Sequence, residues 1–224
     1  MANCDGMTDQ RKGARGSGIW LALLLSVLPS FPRLSAQVSL QLSLGARYTS
    51  TMVHDSIVTP FDVRPAIAPV LAVSATTPLN DPWSAVATLD VSWSRLERHD
   101  QDGTTAGLGG LGALALTVGV ARRLAPGLAA DAAIGGLKYL PAADNGIFAQ
   151  GTGGVTALGA LGVSYALPLG GSALRGLALR ARYDIQRFLT PALRNEGFTS
   201  GELVYRVALT LGWSVGQHGV GARP

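Results

Sequence analysis

The chain has 224 residues, 18 of them Lys or Arg and 14 Asp or Glu, with one cysteine. Only 14% of the residues are charged and the mean hydropathy is +0.28, whereas an ordinary soluble domain carries about a quarter charged residues. That balance is awkward for a soluble domain and natural for a barrel that shows lipid one face of every strand. With no polybasic run or basic stripe, the pI of about 9.6 points to no nucleic acid.

Residues 1–36 read as a cleaved signal peptide. Arg11, Lys12 and Arg15 form a positive n-region, Ile19 to Leu28 a short apolar segment, and Ser35-Ala36 a small-residue exit that starts the mature chain at Gln37. The apolar run ends at Pro29 after about 13 residues, short of the roughly 20 that a helical span needs. The leader takes with it Arg11, Lys12, Arg15 and Arg33, Asp5 and Asp9, so what remains is close to neutral. It also removes Cys4, the only cysteine, which leaves no disulfide, thiolate metal site or lipid-anchoring cysteine.

Eight strand-like segments occupy residues 37 to 216. In the first, 38–48, Val38, Leu40, Leu42, Leu44, Ala46 and Tyr48 alternate with Ser39, Gln41, Ser43, Gly45 and Arg47. The second, 62–74, is interrupted by Pro65 and Pro69, each of which removes a ladder donor. The third, 85–94, sets Leu89, Val91 and Trp93 against Thr88, Asp90 and Ser92, and the fourth, 108–120, aligns Leu114, Leu116, Val118 and Val120. The fifth, 128–139, is rich in Ala and Gly. The sixth, 155–167, places Val155, Leu161, Val163 and Tyr165 on one face.

The last two segments are the clearest. Leu177, Leu179, Ala181, Tyr183 and Ile185 alternate with Ala178, Arg180, Arg182, Asp184 and Gln186, and Tyr205 to Val215 does the same against Arg206, Ala208, Thr210, Gly212 and Ser214. Successive strand side chains point to opposite faces, so each segment carries one greasy face and one polar or small face. Greasy faces about nine to eleven residues long, edged by aromatics, suit a spanning strand. Trp83, Trp93, Trp213, Tyr48, Tyr139, Tyr165 and Tyr205 fall near strand ends, as interfacial girdles do.

The connections alternate. Compact turn chemistry comes after the second, fourth and sixth strands (Thr77 to Pro82, Ala125-Pro126-Gly127, Pro168 to Gly171), and longer polar loops come after the others (49–61, 97–107, 141–154, 188–201). Short periplasmic turns and long outer loops make that asymmetry in a bacterial outer-membrane barrel. A secreted β-sandwich also alternates, but its strands usually have about five or six residues. The expected fold is all-β: an eight-stranded antiparallel up-and-down transmembrane β-barrel over 37–216, with a short tail at 217–224.

On strand number, loop asymmetry and the final strand Tyr205-x-Val207-x-Leu209-x-Leu211-x-Trp213, the mature chain resembles the small eight-stranded outer-membrane barrels of Gram-negative-type bacteria. The resemblance implies outer-membrane residence, contact with outer-membrane lipids and lipopolysaccharide, and passage through the barrel-insertion machinery. The family strand usually stops on its terminal aromatic, whereas this chain continues from Ser214 to Pro224.

Arg47, Arg64, Asp90, Asp131, Arg180, Arg182, Asp184 and Arg206 sit on the small-residue faces and are expected inside the barrel as a paired set, because unpaired buried charge is prohibitively costly. A polar path and a structural plug are both compatible with such a set. His54-Asp55-Ser56 has the residue types of a hydrolase or acyltransferase, but adjacent residues cannot converge, so Asp100 or Ser200 would have to complete a site. His99-Asp100-Gln101-Asp102 offers carboxylates and an imidazole without a second ligand cluster, and His218 lies in the tail. Gly107 to Gly112 and Gly151 to Gly154 lack the lysine and the helix of a phosphate loop. The reading is a barrel with a filled lumen and a structural, adhesion or ligand-contact role through its outer loops, with no catalytic activity, metal or cofactor. The alternatives are an outer-membrane lipid-modifying enzyme and a soluble secreted β-protein that binds an apolar ligand.

Overall fold

The computed structural model describes residues 38–55, 60–143, 146–169, 176–197 and 199–215; the leader and the tail lie outside them. Ten strands run in order: β1 (Ser39–Thr49), β2 (Val53–Asp55), β3 (Phe61–Pro65), β4 (Ala68–Asn80), β5 (Trp83–Asp100), β6 (Thr105–Ala125), β7 (Leu128–Pro141), β8 (Thr156–Ala166), β9 (Leu177–Phe188) and β10 (Glu202–Val215). A short helix, α1 (Pro191–Asn195), starts where the Thr190 side chain accepts from the Leu193 N–H and Pro191 fixes the first turn.

Eight of the strands close a ring. Around it run β5, β4, β1, β10, β9, β8, β7 and β6, all antiparallel, and β6 pairs back onto β5. The first and last ring strands meet with Leu44 opposite Leu211. Closure leaves no open edge in the ring, the condition for a sheet surrounded by hydrocarbon.

The alternation sorts side chains as the sequence predicts. Leu44, Leu116, Ile134, Leu161, Leu209 and Trp213 stand exposed on the outer wall, while Ser43, Thr88, Thr117 and Thr210 are buried inside. An apolar belt on every wall strand of a closed barrel has only lipid to cover it. Tyr48, Trp93 and Tyr205 mark its long-loop side and Trp83, Tyr165 and Trp213 its short-turn side, all exposed. Tyr139 departs from the girdle expectation. It is 6% exposed and faces inward, packed edge-on against Phe188 with centroids 5.5 Å apart.

The proline-containing strand is where the elements differ most from expectation. It is broken into β3 and β4 around Ala66 and Ile67, while β5 runs past both: Pro65 lies opposite Leu96 and Val70 opposite Ser92. The ladder between them holds one residue too many, a bulge that also turns Ile67 outward at 71% exposure. The expected turn at Thr77 to Pro82 shrinks to Asp81-Pro82, because β4 continues to Asn80. The expected loop at 97–107 is largely strand, since β5 and β6 run on to Asp100 and from Thr105. The loop at 49–61 contributes β2, which pairs with β3.

The wall is thinnest where glycines face inward. A Cβ on Gly135 would fall on the Leu116 carbonyl oxygen, and one on Gly119 on that of Ala132. We expect Gly135→Val to abolish the compact, faster-migrating band that a closed barrel shows in unboiled detergent gels. Gly107→Ala, with nothing within 4 Å of the new methyl, should keep it.

Candidate functional site: a charged lumen and a long-loop rim

Seven ionic side chains meet inside the barrel. Asp184 on β9 is the hub: its Oδ1 accepts from Arg182 Nε at 2.7 Å, its Oδ2 from Arg206 Nη2 at 2.7 Å, and Arg47 Nη2 stands 3.8 Å from Oδ2. Arg47 Nη1 reaches across β4 to Asp90 Oδ1 on β5 at 2.5 Å. Arg182 donates on to Thr117 Oγ1 at 2.9 Å. Nearer the short turns, Arg180 donates to Asp131 Oδ2 at 2.8 Å and to Ser74 Oγ at 3.2 Å. Gly162 makes room for this second pair, because a Cβ there would strike the Asp131 carboxylate.

Asp90, Asp184 and Arg206 are each 1% exposed. Charges so far from water are tolerable because each carboxylate takes at least one guanidinium donor, while Asp90 Oδ2 and Arg206 Nε and Nη1 find no partner among the described residues. Arg64 is not among them. Counting back in steps of two from Ser74, Ala72, Val70 and Ala68 places it inside, but the bulge at Ala66–Ile67 reverses the count, and Arg64 is exposed on the outer face opposite Glu97.

The lumen is layered along its axis. At the short-turn end, Gln41, Ser74, Thr76, Asn80, Asp131 and Arg180 line an open vestibule of about 480 Å³. The ionic cluster lies above it. Toward the long loops, Met52, Val63, Leu96, Leu137, Phe148 and Val204 pack into an apolar plug, with Phe188 and Tyr139 at its base. The Gln186 amide donates to the Tyr139 hydroxyl and joins the two layers.

At the rim, four side chains form a cross-strand row: His54 on β2, Asp62 on β3, His99 on β5 and Thr105 on β6 are successive register partners. His54 Nδ1 lies 2.6 Å from Asp62 Oδ1. His99 Nδ1 lies 3.2 Å from Thr105 Oγ1, and its Nε2 is 3.5 Å from Glu97. Asp62 is the partner sequence reasoning missed, since the signal is a hairpin register hidden in an apparent loop. Ser56, and the side chain of Asp55, fall outside the described residues.

Of the two expected third members, Asp100 is engaged by Arg98 Nε at 2.7 Å, and Ser200 shares a cleft with His54 of only about 30 Å³. Asp102 receives the Thr104 hydroxyl at 2.6 Å and its N–H at 2.9 Å, which holds its carboxyl below the usual carboxylate range. Among the described residues, no three His, Cys, Asp or Glu are grouped to hold a metal ion. His218 lies outside them.

No protein-family model matches the chain, and no curated protein matches it in sequence. Among solved structures it is similar to the attachment invasion locus protein Ail of Yersinia pestis, in complex with the heparin analogue sucrose octasulfate, at 11% identity and TM-score 0.46, covering 80% of this chain and 99% of that one. It is similar to the outer membrane protein OprG of Pseudomonas aeruginosa at 12% identity and TM-score 0.43 (79% and 95% covered). Neisserial surface protein A is matched at 14% identity and TM-score 0.42 (80% and 96% covered). Identities this low bring no ligand and no activity from those proteins to this chain.

Asp184 touches three arginines, so its removal leaves their charges facing one another. Breaking a buried pair costs about 3–5 kcal/mol, and Asp184→Asn is expected to lose that much in urea unfolding of the reconstituted barrel. Asp81→Asn, which loses only an exposed contact to Arg123, should stay within about 0.5 kcal/mol of the parent.

Proposed function

We propose that the protein is an exported outer-membrane barrel with an occluded lumen, which meets external partners through a strand-built ridge on its outer side. Its envelope role is adhesion or ligand contact, or structural support. The short-turn end faces the periplasm and the long-loop end the exterior. The lumen charges hold strand register instead of conducting, since an apolar plug sits between them and the outer mouth.

The observation that carries the reading is unequal strand length. β1 and β8 have 11 residues each, about what a tilted spanning strand needs. β5 has 18 and β6 has 21, so both run well past the membrane on the long-loop side. There β3 and β2 add to β5, and β6 loses its β7 partner beyond Leu111. The result is a projecting sheet with Asp62 and His99 on one face and Arg98 and Asp100 on the other, stiffened where the Arg98 guanidinium stacks 4.2 Å from the Phe61 centroid. A rigid, mixed-charge surface held clear of lipid suits recognition of a polar partner.

Replacing 101–104 with Asn-Gly shortens the tip of this ridge and spares the barrel. Cells displaying the parent should adhere to epithelial monolayers better than cells with an empty vector. The shortened variant should lose most of that gain while keeping its heat-shifted band in the outer-membrane fraction. Equal adhesion by parent and empty vector would remove the adhesion role.

No catalysis is assigned to the rim. The His54–Asp62 contact resembles the oriented base of a triad, but the cleft that His54 shares with Ser200 is only about 30 Å³, too small for an acyl group, and His54 does not line the larger cleft on the other side of Ser200. His54→Ala should leave the mass spectrum of extracted lipid A unchanged; a new acylation state would revive the lipid-modifying reading.

A further inference from the structure

On the wall formed by β6 to β9, two clefts of opposite character lie one above the other. The lower is apolar, about 390 Å³, and opens to the lipid side between Val118, Ile134, Leu161, Tyr183 and Ile185. Its floor is low because the wall carries small residues: Gly159 lies between Ile134 on β7 and Ile185 on β9. The next outward position toward the long loops pairs Ala157 with Gly136, and there the Val155 side chain covers Gly136 and leaves Ala157 as the small residue of the wall. Most lipid-facing positions of this barrel carry Leu, Val, Ile or an aromatic. Here a trough runs up the wall instead.

Beyond Ala157, Val155 separates the trough from the second cleft. This one, about 400 Å³, lies at the long-loop rim and is polar, lined by Arg187, Arg194, Thr152, Thr156 and Ser200, with Val155 at its junction with the wall. Arg187 stands two residues above Ile185 on the same outward face of β9, so one strand serves both clefts. Lys138 stands two residues above Gly136 on β7 and flanks the trough from the other side. All three cations are exposed. Neither cleft has an Asp or Glu in its lining, so the charges of Arg187 and Arg194 are not neutralised from within the rim cleft. At the opposite rim the arrangement differs: Arg122, also outward, stacks on the Trp83 ring 5.5 Å from its centroid.

An apolar slot one residue-row below a carboxylate-free cationic cleft, at the depth where headgroup meets acyl chain, is complementary to an amphiphile with anionic oxygens. Lysine and arginine at that level reach headgroup phosphates while their stems lie along apolar surface. We propose that these two clefts form one binding site for a phosphorylated, acylated lipid of the outer leaflet, the lipopolysaccharide class. Arg187, Arg194 and Lys138 take the phosphorylated sugar headgroup, and an acyl chain lies over Ala157 and Gly159 into the lower cleft. The site rests on the outer-membrane orientation proposed above and adds to it a place and a chemistry for the lipid.

The test is native mass spectrometry of the full barrel in detergent, with bisphosphorylated lipid A as the probe. Its fully dephosphorylated form and phosphatidylethanolamine are the comparisons. The parent should retain one lipid A. Arg187→Gln/Arg194→Gln should weaken retention about tenfold or more, the equivalent of one lost charge-assisted hydrogen bond. Ala157→Leu, which fills the trough from the lipid side and leaves every cation in place, should weaken it as well. Arg122→Gln should retain lipid A like the parent.

Each variant is first checked for the heat-shifted band, so that a misfolded chain is not read as a non-binder. Equal retention of dephosphorylated lipid A or phosphatidylethanolamine would overturn the proposal, as would a double variant that binds like the parent. A heat-shifting barrel in the outer-membrane fraction that holds no lipid A rejects this site alone. A chain absent from that fraction rejects the envelope reading with it.

Discussion

The structure depends on one constraint: in hydrocarbon every backbone N–H and C=O must find its partner within the protein. A sheet satisfies it only by closing, and closure of β6 onto β5 determines most of the architecture. With no free edge, each strand is fixed between two neighbours, and each residue is committed to lipid or to lumen by parity alone. That is why the same chain tolerates Leu44 at 63% exposure and Arg206 at 1%. A soluble protein would reverse both.

Parity also accounts for what was legible in the sequence. β1, β9 and β10 run without insertion, so the alternation that exposes Leu and Tyr also places Arg47, Arg180, Arg182, Asp184 and Arg206 inside. Arg64 escaped because one extra residue between Pro65 and Ala68 reverses the count, and prolines at 65 and 69 announce an irregularity without saying on which side of it parity changes. Tyr139 was open to the same reasoning. It is eight residues from Asp131 on an unbroken β7, so a lumen position for one required it for the other; closeness to a strand end was the weaker guide. Which carboxylate meets which guanidinium was beyond the sequence. Arg47 and Asp90 face each other across β4, and that depends on the stagger of the strands around the ring.

The rim was harder to read for a different reason. Inside the membrane belt a strand must alternate, but beyond it both faces of a sheet meet water and the hydropathy signal disappears. β5 and β6 therefore look like loop from Glu97 to Gly107, though they continue as ladder. The His54–Asp62 contact sits in that unmarked region, between strands of three and five residues. The separation of roles respects the same boundary. Residues in the belt are committed to holding the barrel, whereas the projecting sheet, relieved of the lipid constraint, is free to carry a surface shaped for something else.

Small residues mean different things on the two faces. Inside, Gly119, Gly135 and Gly162 lie where a Cβ would strike the backbone of the adjacent strand or its Asp131 carboxylate; they are required by the close approach of neighbouring strands. Outside, Ala157 and Gly159 answer to no such crowding, and a Cβ on Gly159 would meet only Ile185 at 3.4 Å. Lipid-facing positions gain from large apolar side chains, so a run of small ones gives up contact that the wall makes elsewhere. The loss is made good only when another molecule's methylenes lie in the trough. Because the trough ends below Arg187 and not below an apolar or acidic group, that molecule is matched at both ends, by dispersion in the slot and by charge at the rim.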